Sequence, residues 1–343
     1  MRVGIIGASG YTGGELLRLL AMHPECEVSC ATSRRLNGKS IASVHPNLRG
    51  ILDMKFVKPD EEKIASKCDF VFTATPHGTS MKVVPGFVES GMKVVDLSGD
   101  FRFKDTKIYE RYYHVRHEHP EVEAVYGLPE LHRQEIKDAS LVANPGCYPV
   151  SAILGLAPMV KRGAVDVERI VVDSKSGISG AGAIPSDKTH FIANAESVLA
   201  YNASSHRHLP EIEEELRRIN EKVMVSFVPH LVPLIRGIST TIHCFLEADI
   251  ESESLQELYS KFYSGEPFIR IMDVGETPRL SAVRASNYID IGCFEVDKER
   301  KRCIVVSALD NLVKGASGNA VQNMNIMMGY DETLGLTQVG VHP

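Results

Sequence analysis

The stretch Val3-Gly4-Ile5-Ile6-Gly7-Ala8-Ser9-Gly10-Tyr11-Thr12-Gly13-Gly14 constrains this chain more than any other. Val3 to Ile6 reads as a β-strand and Glu15 to His23 as an apolar helix, with Gly7, Gly10 and Gly13 between them. Glycines there allow a tight turn off the strand and bring bare backbone N–H groups to a helix N-terminus, whose dipole favours an anion. The spacing G-x-x-G-x-x-G is a variant of the dinucleotide fingerprint. A glycine triplet also fits a plain strand-to-helix turn. Its place directly after the first strand, ahead of a correctly patterned helix, favours a dinucleotide site that includes Ser9, Tyr11 and Thr12.

The same rhythm continues for about 150 residues. Strand patterns recur at Glu27 to Thr32, Asp69 to Ala74 and Lys93 to Asp96, with a helical stretch from Gly78 to Ser90. An irregular, His- and Tyr-rich segment follows from Phe101 to Leu131, and then Leu141-Val142-Ala143. Repeated strand-helix winding predicts an α/β, Rossmann-type, doubly wound parallel sheet. An NAD site usually carries an acidic residue about 20 positions beyond the glycines, but here the second strand ends Ala31-Thr32-Ser33-Arg34-Arg35. A hydroxyl and two guanidiniums suit a 2′-phosphate, which points to NADP. Thr75 and Pro76, at the carboxyl edge of the third strand, should face the ribose and nicotinamide side.

Beyond Cys147 the pattern changes. Longer strand candidates lie at Arg169 to Ser174, Val223 to Val228, Ser239 to Leu246 and Cys303 to Ser307, with helices at Pro210 to Asn220, Glu253 to Tyr263 and Gly315 to Met328. This predicts a second, α+β domain. Length agrees, since 343 residues suit two domains. With 38 basic and 44 acidic residues the net charge is −6, which lacks the footprint of a nucleic-acid or anionic-membrane binder. Seven scattered cysteines, with no C-x-x-C pair, fit neither a disulfide framework nor a zinc ribbon. No uncharged apolar run approaches the roughly 20 residues that span a bilayer, and no leader precedes the first strand, so a cytoplasmic protein is expected.

Cys147 stands apart from the other thiols. It follows the turn Asn144-Pro145-Gly146 and begins a predicted helix, where the dipole stabilises a thiolate and free N–H groups can hold an oxyanion. A dinucleotide with a reactive thiol suggests thiolate attack on an acyl phosphate, hydride delivery to the thioester and release of an aldehyde. His206 and His208 in Ser205-His206-Arg207-His208-Leu209-Pro210-Glu211-Ile212 are the acid/base candidates. His208 ranks first, because Glu211 three residues on can orient its ring. The H-x-H pair lacks a third ligand at a recognisable spacing, so no metal is expected. For substrate anions the candidates are Ser98 and Arg102 in Ser98-Gly99-Asp100-Phe101-Arg102, and the loop Lys175 to Gly182, where backbone around Ser176, Gly177 and Ser179 could form an anion nest.

These motifs, in this order and together with Asn311-Leu312-Val313-Lys314-Gly315-Ala316-Ser317-Gly318-Asn319-Ala320, closely resemble the N-acetyl-gamma-glutamyl-phosphate reductase family, NADP-dependent phosphorylating semialdehyde dehydrogenases of arginine biosynthesis. The resemblance covers essentially the whole chain. It implies Cys147 as the acylated nucleophile, a histidine of the His206/His208 pair as acid/base, and NADP held by Ser9 to Thr12, Ser33 to Arg35 and Asn311 to Ala316. It also implies a homodimer or homotetramer acting on a small acyl phosphate and phosphate. Ala183 replaces a basic residue frequent in relatives, and Ser317 and Asn319 replace Ala and Gln, which loosens the substrate assignment. A similar branch reduces acyl phosphates carried on an acidic protein, and Lys107, Arg111 and Arg116 could offer such a carrier a basic patch. Aspartate-semialdehyde dehydrogenase shares the thioester chemistry, and an NADP-binding regulator could share the fold. The expected division is a cofactor domain of residues 1–146 and 310–343 around a second domain of 147–309, with Cys147 at the seam.

Overall fold

Strands β1 (Arg2–Ile6), β2 (Glu27–Ala31), β3 (Phe70–Thr73), β4 (Lys93–Asp96), β5 (Val125–Tyr126) and β6 (Leu141–Ala143) form one sheet in the order β2-β1-β3-β4-β6-β5, with every pairing parallel. Val3, Ile5, Phe70, Val71, Phe72, Val94 and Val95 are fully buried, the near-continuous apolar run of strands covered on both faces. Helices α1 (Tyr11–Leu20), α2 (Glu61–Lys67), α3 (Val84–Glu89), α4 (Thr106–Tyr113) and α5 (Pro129–Asp138) accompany them. The order reverses at β1, which has β2 on one side and β3 on the other, so the glycine loop leaves β1 at the switch point of the sheet. This computed structural model describes residues 1–187 and 189–342.

Local differences from the sequence expectation have physical causes. Helix α1 starts at Tyr11 rather than Glu15, because Gly10 occupies the N-cap and the end of the glycine motif winds into the first turn. The span 78–90 is a 3₁₀ turn, Ser80–Lys82, followed by α3. The segment 101–131 is not irregular throughout. Asp105 caps α4 by accepting the Lys107 N–H, and Pro129 opens α5 at its first turn. Tyr109 is the buried residue of α4, an aromatic anchor that an aliphatic periodicity overlooks.

The second sheet runs β11-β12-β13-β10-β7-β9-β8, from β7 (Ile170–Ser176), β8 (Leu199–Ala200), β9 (Val225–Leu231), β10 (Ile238–Phe245), β11 (Ile269–Val274), β12 (Ile289–Asp297) and β13 (Arg302–Leu309). It is mixed: β10 is antiparallel to β7 and β13, while β7 and β9 are parallel. Helices α6 (Cys147–Arg162), α7 (Phe191–Asn194), α8 (His208–Arg217), α9 (Ser252–Phe262) and α10 (Leu280–Val283) belong with it. Helix α6 packs so closely on the sheet that a methyl group at Gly155 would overlap Ile242 Cδ1. A buried hydroxyl network fixes that contact: Ser151 bonds Thr240 and Ser307 at 2.9 and 2.8 Å, and Ser174 bonds Thr240 at 2.9 Å. Strands β8, β11 and β12 were not foreseen. β8 has only two residues, and β12 carries a bulge between Gly292 and Glu295.

By contacts the chain divides into Met1–Pro145 with Ala316–Thr337, and Gly146–Gly315 with the segment from Gln338 on. The return to the first unit therefore falls at Ala316, not 310. Asp310 holds the preceding residues in the second unit by accepting the N–H groups of Ala285, Leu312 and Val313. The end of the chain stays there too, through the Val341 N–H to Arg284 O bond and Arg284 Nη2 to Val341 O. Helix α11 (Gly318–Met328) lies buried in the first unit despite its polar residues. Asn319 and Asn323 both donate from Nδ2 to Gly127 O and to Asn144 Oδ1, at 2.7–3.1 Å, which satisfies their amide donors.

Pro158 lies inside α6 and has no N–H for Leu154 O; the Tyr263 hydroxyl, at 2.6 Å, supplies that bond instead. We expect Tyr263→Phe to orphan the buried carbonyl and cost about 1–3 kcal/mol in a denaturant titration. An unchanged midpoint would mean Leu154 O needs no such donor.

Candidate active site

In the first unit the glycine loop is built as a cradle. Gly7 adopts φ +89°, and a methyl group there would overlap Ala74 O, so only glycine lets β1 and β3 meet at this turn. At Gly13 a Cβ would lie 2.6 Å from Ala8 Cα, whereas at Gly10 it would meet nothing closer than Gly7 O at 4.0 Å. Gly10 thus leaves open space at the start of α1, where first-turn N–H groups have no helical partner. Around it, Ser9 Oγ and Ser33 Oγ share a 2.9 Å hydrogen bond, and the Ala8 N–H donates to Thr32 O. Arg34 and Arg35 follow Ser33 directly and are exposed. Tyr11 is exposed, Thr12 O accepts from Ser317 Oγ, and Ala316 O accepts from Asn144 Nδ2. Thr75 bonds Ser80 at 2.8 Å, next to Pro76 at the carboxyl end of β3. This open, donor-lined loop with a hydroxyl and two arginines fits a phosphorylated dinucleotide. His45, unnoticed in the sequence, stiffens it: Nε2 donates to Ala8 O at 2.9 Å, and the ring fills the space a side chain at Gly14 would need.

Ser98 and Arg102 lie at the carboxyl end of the same sheet with their polar groups turned inward. The Ser98 hydroxyl donates to Asp96 at 2.6 Å and accepts the Asp100 N–H. Burial and the charge of Asp100 push Asp96 above its ordinary range. Arg102 Nε donates to Asn144 O and Nη2 to Leu97 O, at 2.8 and 3.1 Å, bracing the ends of β4 and β6.

The thiol lies in the second unit. Gly146 is the N-cap of α6 and Cys147 its first residue, partly exposed. Pro149 has no N–H, so the first-turn donors are those of Cys147 and Tyr148. Helix α8 brings two residues of its first turn to this point. Glu211, almost wholly buried, accepts the Gly146 N–H at 2.7 Å. The His208 ring lies so close over Gly146 that a methyl group there would overlap Nε2. Cys147, His208 and Glu211 are therefore neighbours.

His206 has a different place. Its Nδ1 accepts the His208 N–H at 3.1 Å, which caps α8, and its ring sits edge-on among Tyr148, Tyr201, His208 and Phe227. Burial, with a smaller push from Arg207, lowers it to about 3, so it stays neutral at ordinary pH. Tyr148 and Tyr201 went unrecognised in the sequence. Their hydroxyls are 3.3 Å apart, Tyr148 donates to His230 O at 3.2 Å, and burial holds both protonated.

The anion nest expected around Ser176 to Ser179 does not form. The N–H groups of Gly177, Ile178 and Ser179 donate at 2.8–3.1 Å to the carbonyls of Gly237, Leu234 and Ile235, and the Gly180 N–H points to Gly177 O. Ser176 Oγ donates to Gly177 O, and Ser179 Oγ accepts from Asn311 Nδ2 at 3.0 Å. Asn311 and Lys314, expected at the cofactor, are also turned inward. Asn311 Oδ1 takes the Gly237 N–H at 2.7 Å, and Lys314 is fully buried with Nζ over the Phe268 ring. Gly315 packs on the thiol, where a Cβ would lie 2.8 Å from Cys147 Cβ. These inward contacts were not legible because they join segments far apart in sequence.

Over 99% of both chains, the protein is 57% identical to N-acetyl-gamma-glutamyl-phosphate reductase of Methanopyrus kandleri and 54% identical to that of Methanocaldococcus jannaschii. The chain belongs to this reductase family. Residues 2–139 of the reductase match the semialdehyde dehydrogenase NAD binding domain, and residues 147–311 the semialdehyde dehydrogenase dimerisation domain. Among solved structures, aspartate semialdehyde dehydrogenase II from Vibrio cholerae, complexed with ASA, gives a TM-score of 0.73 at 19% identity, over 96% of this chain and 98% of that one. Aspartate semialdehyde dehydrogenase with NADP from Candida albicans gives 0.71 at 17%, over 95% and 98%. At that identity the likeness is one of fold. The reductase is thus an oxidoreductase with an NAD(P)-binding domain. Among the described residues no helix is long and apolar enough to cross a membrane.

His206 carries a pH signature. Below its ordinary value of 6.5 the unfolded chain takes up a proton that the folded chain refuses until about 3. Its contribution to stability is therefore lost as pH falls through that window, by about 1.4 kcal/mol per pH unit. His206→Asn keeps an acceptor for the His208 N–H but has no proton to gain. Its urea midpoint should fall less than the wild type's between about pH 7 and pH 5, and equal slopes would refute the burial argument. Separately, Gly146→Ala must displace the His208 ring, so kcat should drop about tenfold or more with a smaller change in melting temperature.

Proposed function

We propose that this chain reduces N-acetyl-L-glutamyl 5-phosphate to N-acetyl-L-glutamate 5-semialdehyde and phosphate, in arginine biosynthesis, with NADPH as reductant and Cys147 as nucleophile. The observation that carries this reading is the meeting of Cys147, as first residue of α6, with the His208 ring over Gly146.

His208 takes the proton of the Cys147 thiol, and the thiolate attacks the acyl carbon. The N–H groups of Cys147 and Tyr148 are placed to hold the carbonyl oxygen as it gains charge. The carbon–oxygen bond to phosphate breaks, the proton on His208 passes to the leaving phosphate, and a thioester remains on Cys147. The nicotinamide, when bound, supplies the hydride that reduces this carbon. Collapse then breaks the carbon–sulfur bond, the aldehyde leaves, and a solvent proton restores the thiol. His206 serves as a positioning residue, since its Nδ1 is already engaged by the His208 N–H. Glu211 holds the Gly146 turn rather than the reacting atoms.

NADP is held by the loop Gly7 to Gly13, with Ser33, Arg34 and Arg35 at the 2′-phosphate. A homo-oligomer is supported by the dimerisation-domain match and by Ile184, Phe191, Ile192 and Val198, all large apolar side chains left exposed in the second unit.

In the reverse assay, with semialdehyde, phosphate and NADP, Cys147→Ala should lose activity by at least about 10³-fold while melting as wild type does. Substantial turnover would exclude the thioester route. Replacing Arg34 and Arg35 by Ser should raise KM for NADPH about 10–100-fold and leave KM for NADH nearly unchanged. Equal effects on the two cofactors would remove these arginines from the 2′-phosphate site.

A further inference from the structure

Residues 33–57 leave the end of β2 and return beside it ahead of α2. The two arms of this excursion pair with each other. Ser33 N–H donates to Val57 O and Val57 N–H to Ala31 O, and further out Gly38 N–H donates to Phe56 O, Phe56 N–H to Lys39 O and Ile41 N–H to Met54 O, all at 2.8–3.0 Å. The far end, with the 3₁₀ turns Ile41–Ser43 and Pro46–Leu48, folds back on the glycine loop. His45, between those turns, makes the contact. Its Nε2 donates to Ala8 O at 2.9 Å, and its Nδ1 and Cε1 lie 2.5 and 2.4 Å from where a Cβ on Gly14 would stand. Phe56, almost wholly buried, backs the ring edge-on with centroids 6.2 Å apart.

We infer that His45 is a positioning residue for the diphosphate of the dinucleotide: by holding the Ala8 carbonyl it fixes the Ser9 N–H as an outward-pointing anion donor. This rests on the reading above in which the Gly7–Gly13 loop holds NADP. The peptide unit between Ala8 and Ser9 is planar and trans, so its C=O and its N–H point in opposite directions. With the carbonyl drawn to His45, the Ser9 N–H points away from the ring, and among the described residues no acceptor takes it.

The neighbouring groups are tied down, which leaves this donor as the one the loop presents before α1 begins. Ala8 N–H donates to Thr32 O at 2.9 Å, Gly10 N–H points to Gly7 O, and Ser9 Oγ shares its 2.9 Å bond with Ser33 Oγ. A backbone N–H held out just ahead of a helix N-terminus adds to the first-turn donors as a site for phosphate oxygens. Burial lowers His45 below its ordinary value, against a smaller opposite effect of Ala8 O, so the ring is neutral at ordinary pH and its single N–H sits on Nε2. His45 therefore contributes direction rather than charge.

Adenosine 2′-monophosphate separates the diphosphate from the rest of the adenine half, because it keeps the base, the ribose and the 2′-phosphate and lacks the diphosphate. Binding of NADP and of this fragment is measured by calorimetry on the full-length enzyme. His45→Phe keeps a ring against Gly14 but has no donor, and should raise Kd for NADP about tenfold or more with Kd for the fragment unchanged. His45→Gln, whose amide N–H replaces the Nε2 donor, should recover most of that loss. An unchanged Kd for NADP in the Phe variant, or no recovery in the Gln variant, would overturn the inference. So would a parallel rise for the fragment, which would mean that the 33–57 excursion had moved with Arg34 and Arg35. Gly14→Ala, which displaces the ring, serves as the test if the Phe variant does not fold, and the same two Kd values decide. A wild type that binds neither NADP nor the fragment would instead refute the cofactor reading itself.

Discussion

The hydrogen bond from the Gly146 N–H to the Glu211 carboxylate joins the start of α6 to the first turn of α8, and the thiol site is organised around it. Without it a buried carboxylate would lose a donor and a helix start would lose its register, each costly in a low-dielectric interior. With it, His208 is carried over Gly146 and Cys147 stands at the exposed edge of the same turn. The carboxylate also sits where the α6 dipole favours negative charge, so the contact is stabilising before any ligand is considered.

Helix α6 is the element on which that bond acts, and its own position is set by polar contacts that apolar packing would not specify. The hydroxyls of Ser151, Ser174, Thr240 and Ser307 lock it against the second sheet, while Tyr263 repairs the bond that Pro158 removes. A buried network with every member satisfied defines one arrangement, where a purely apolar face would tolerate sliding. In the first unit the equivalent constraint is steric. Gly7 and Gly13 allow backbone contacts that any side chain would forbid, and His45 holds the loop from outside.

Much of this was legible in the chain. The parallel strands show as apolar runs because both faces are covered, and the glycine loop shows because only glycine tolerates the φ of Gly7 and the close approaches at Gly7 and Gly13. Cys147, His208 and Glu211 were readable as a group, since a turn before one helix and a histidine-acid spacing before another are local signals. Helix α4 was missed because its anchor is Tyr109 rather than an aliphatic stripe. The expected nest at Ser176–Ser179 failed for a different reason: glycine and serine mark a loop, but not where its donors point.

The sequence by itself determined the two fold classes and picked out the glycine loop and Cys147 as candidates, because each of those signals lies within one helix or one turn, while the family showed in the order of its motifs along the chain. Only the tertiary structure decided which histidine is occupied as a helix cap and which loop has its donors already bonded. Those are questions about the partner of a polar group, and the partners here lie tens of residues away, chosen by packing and the need to satisfy every buried donor and acceptor.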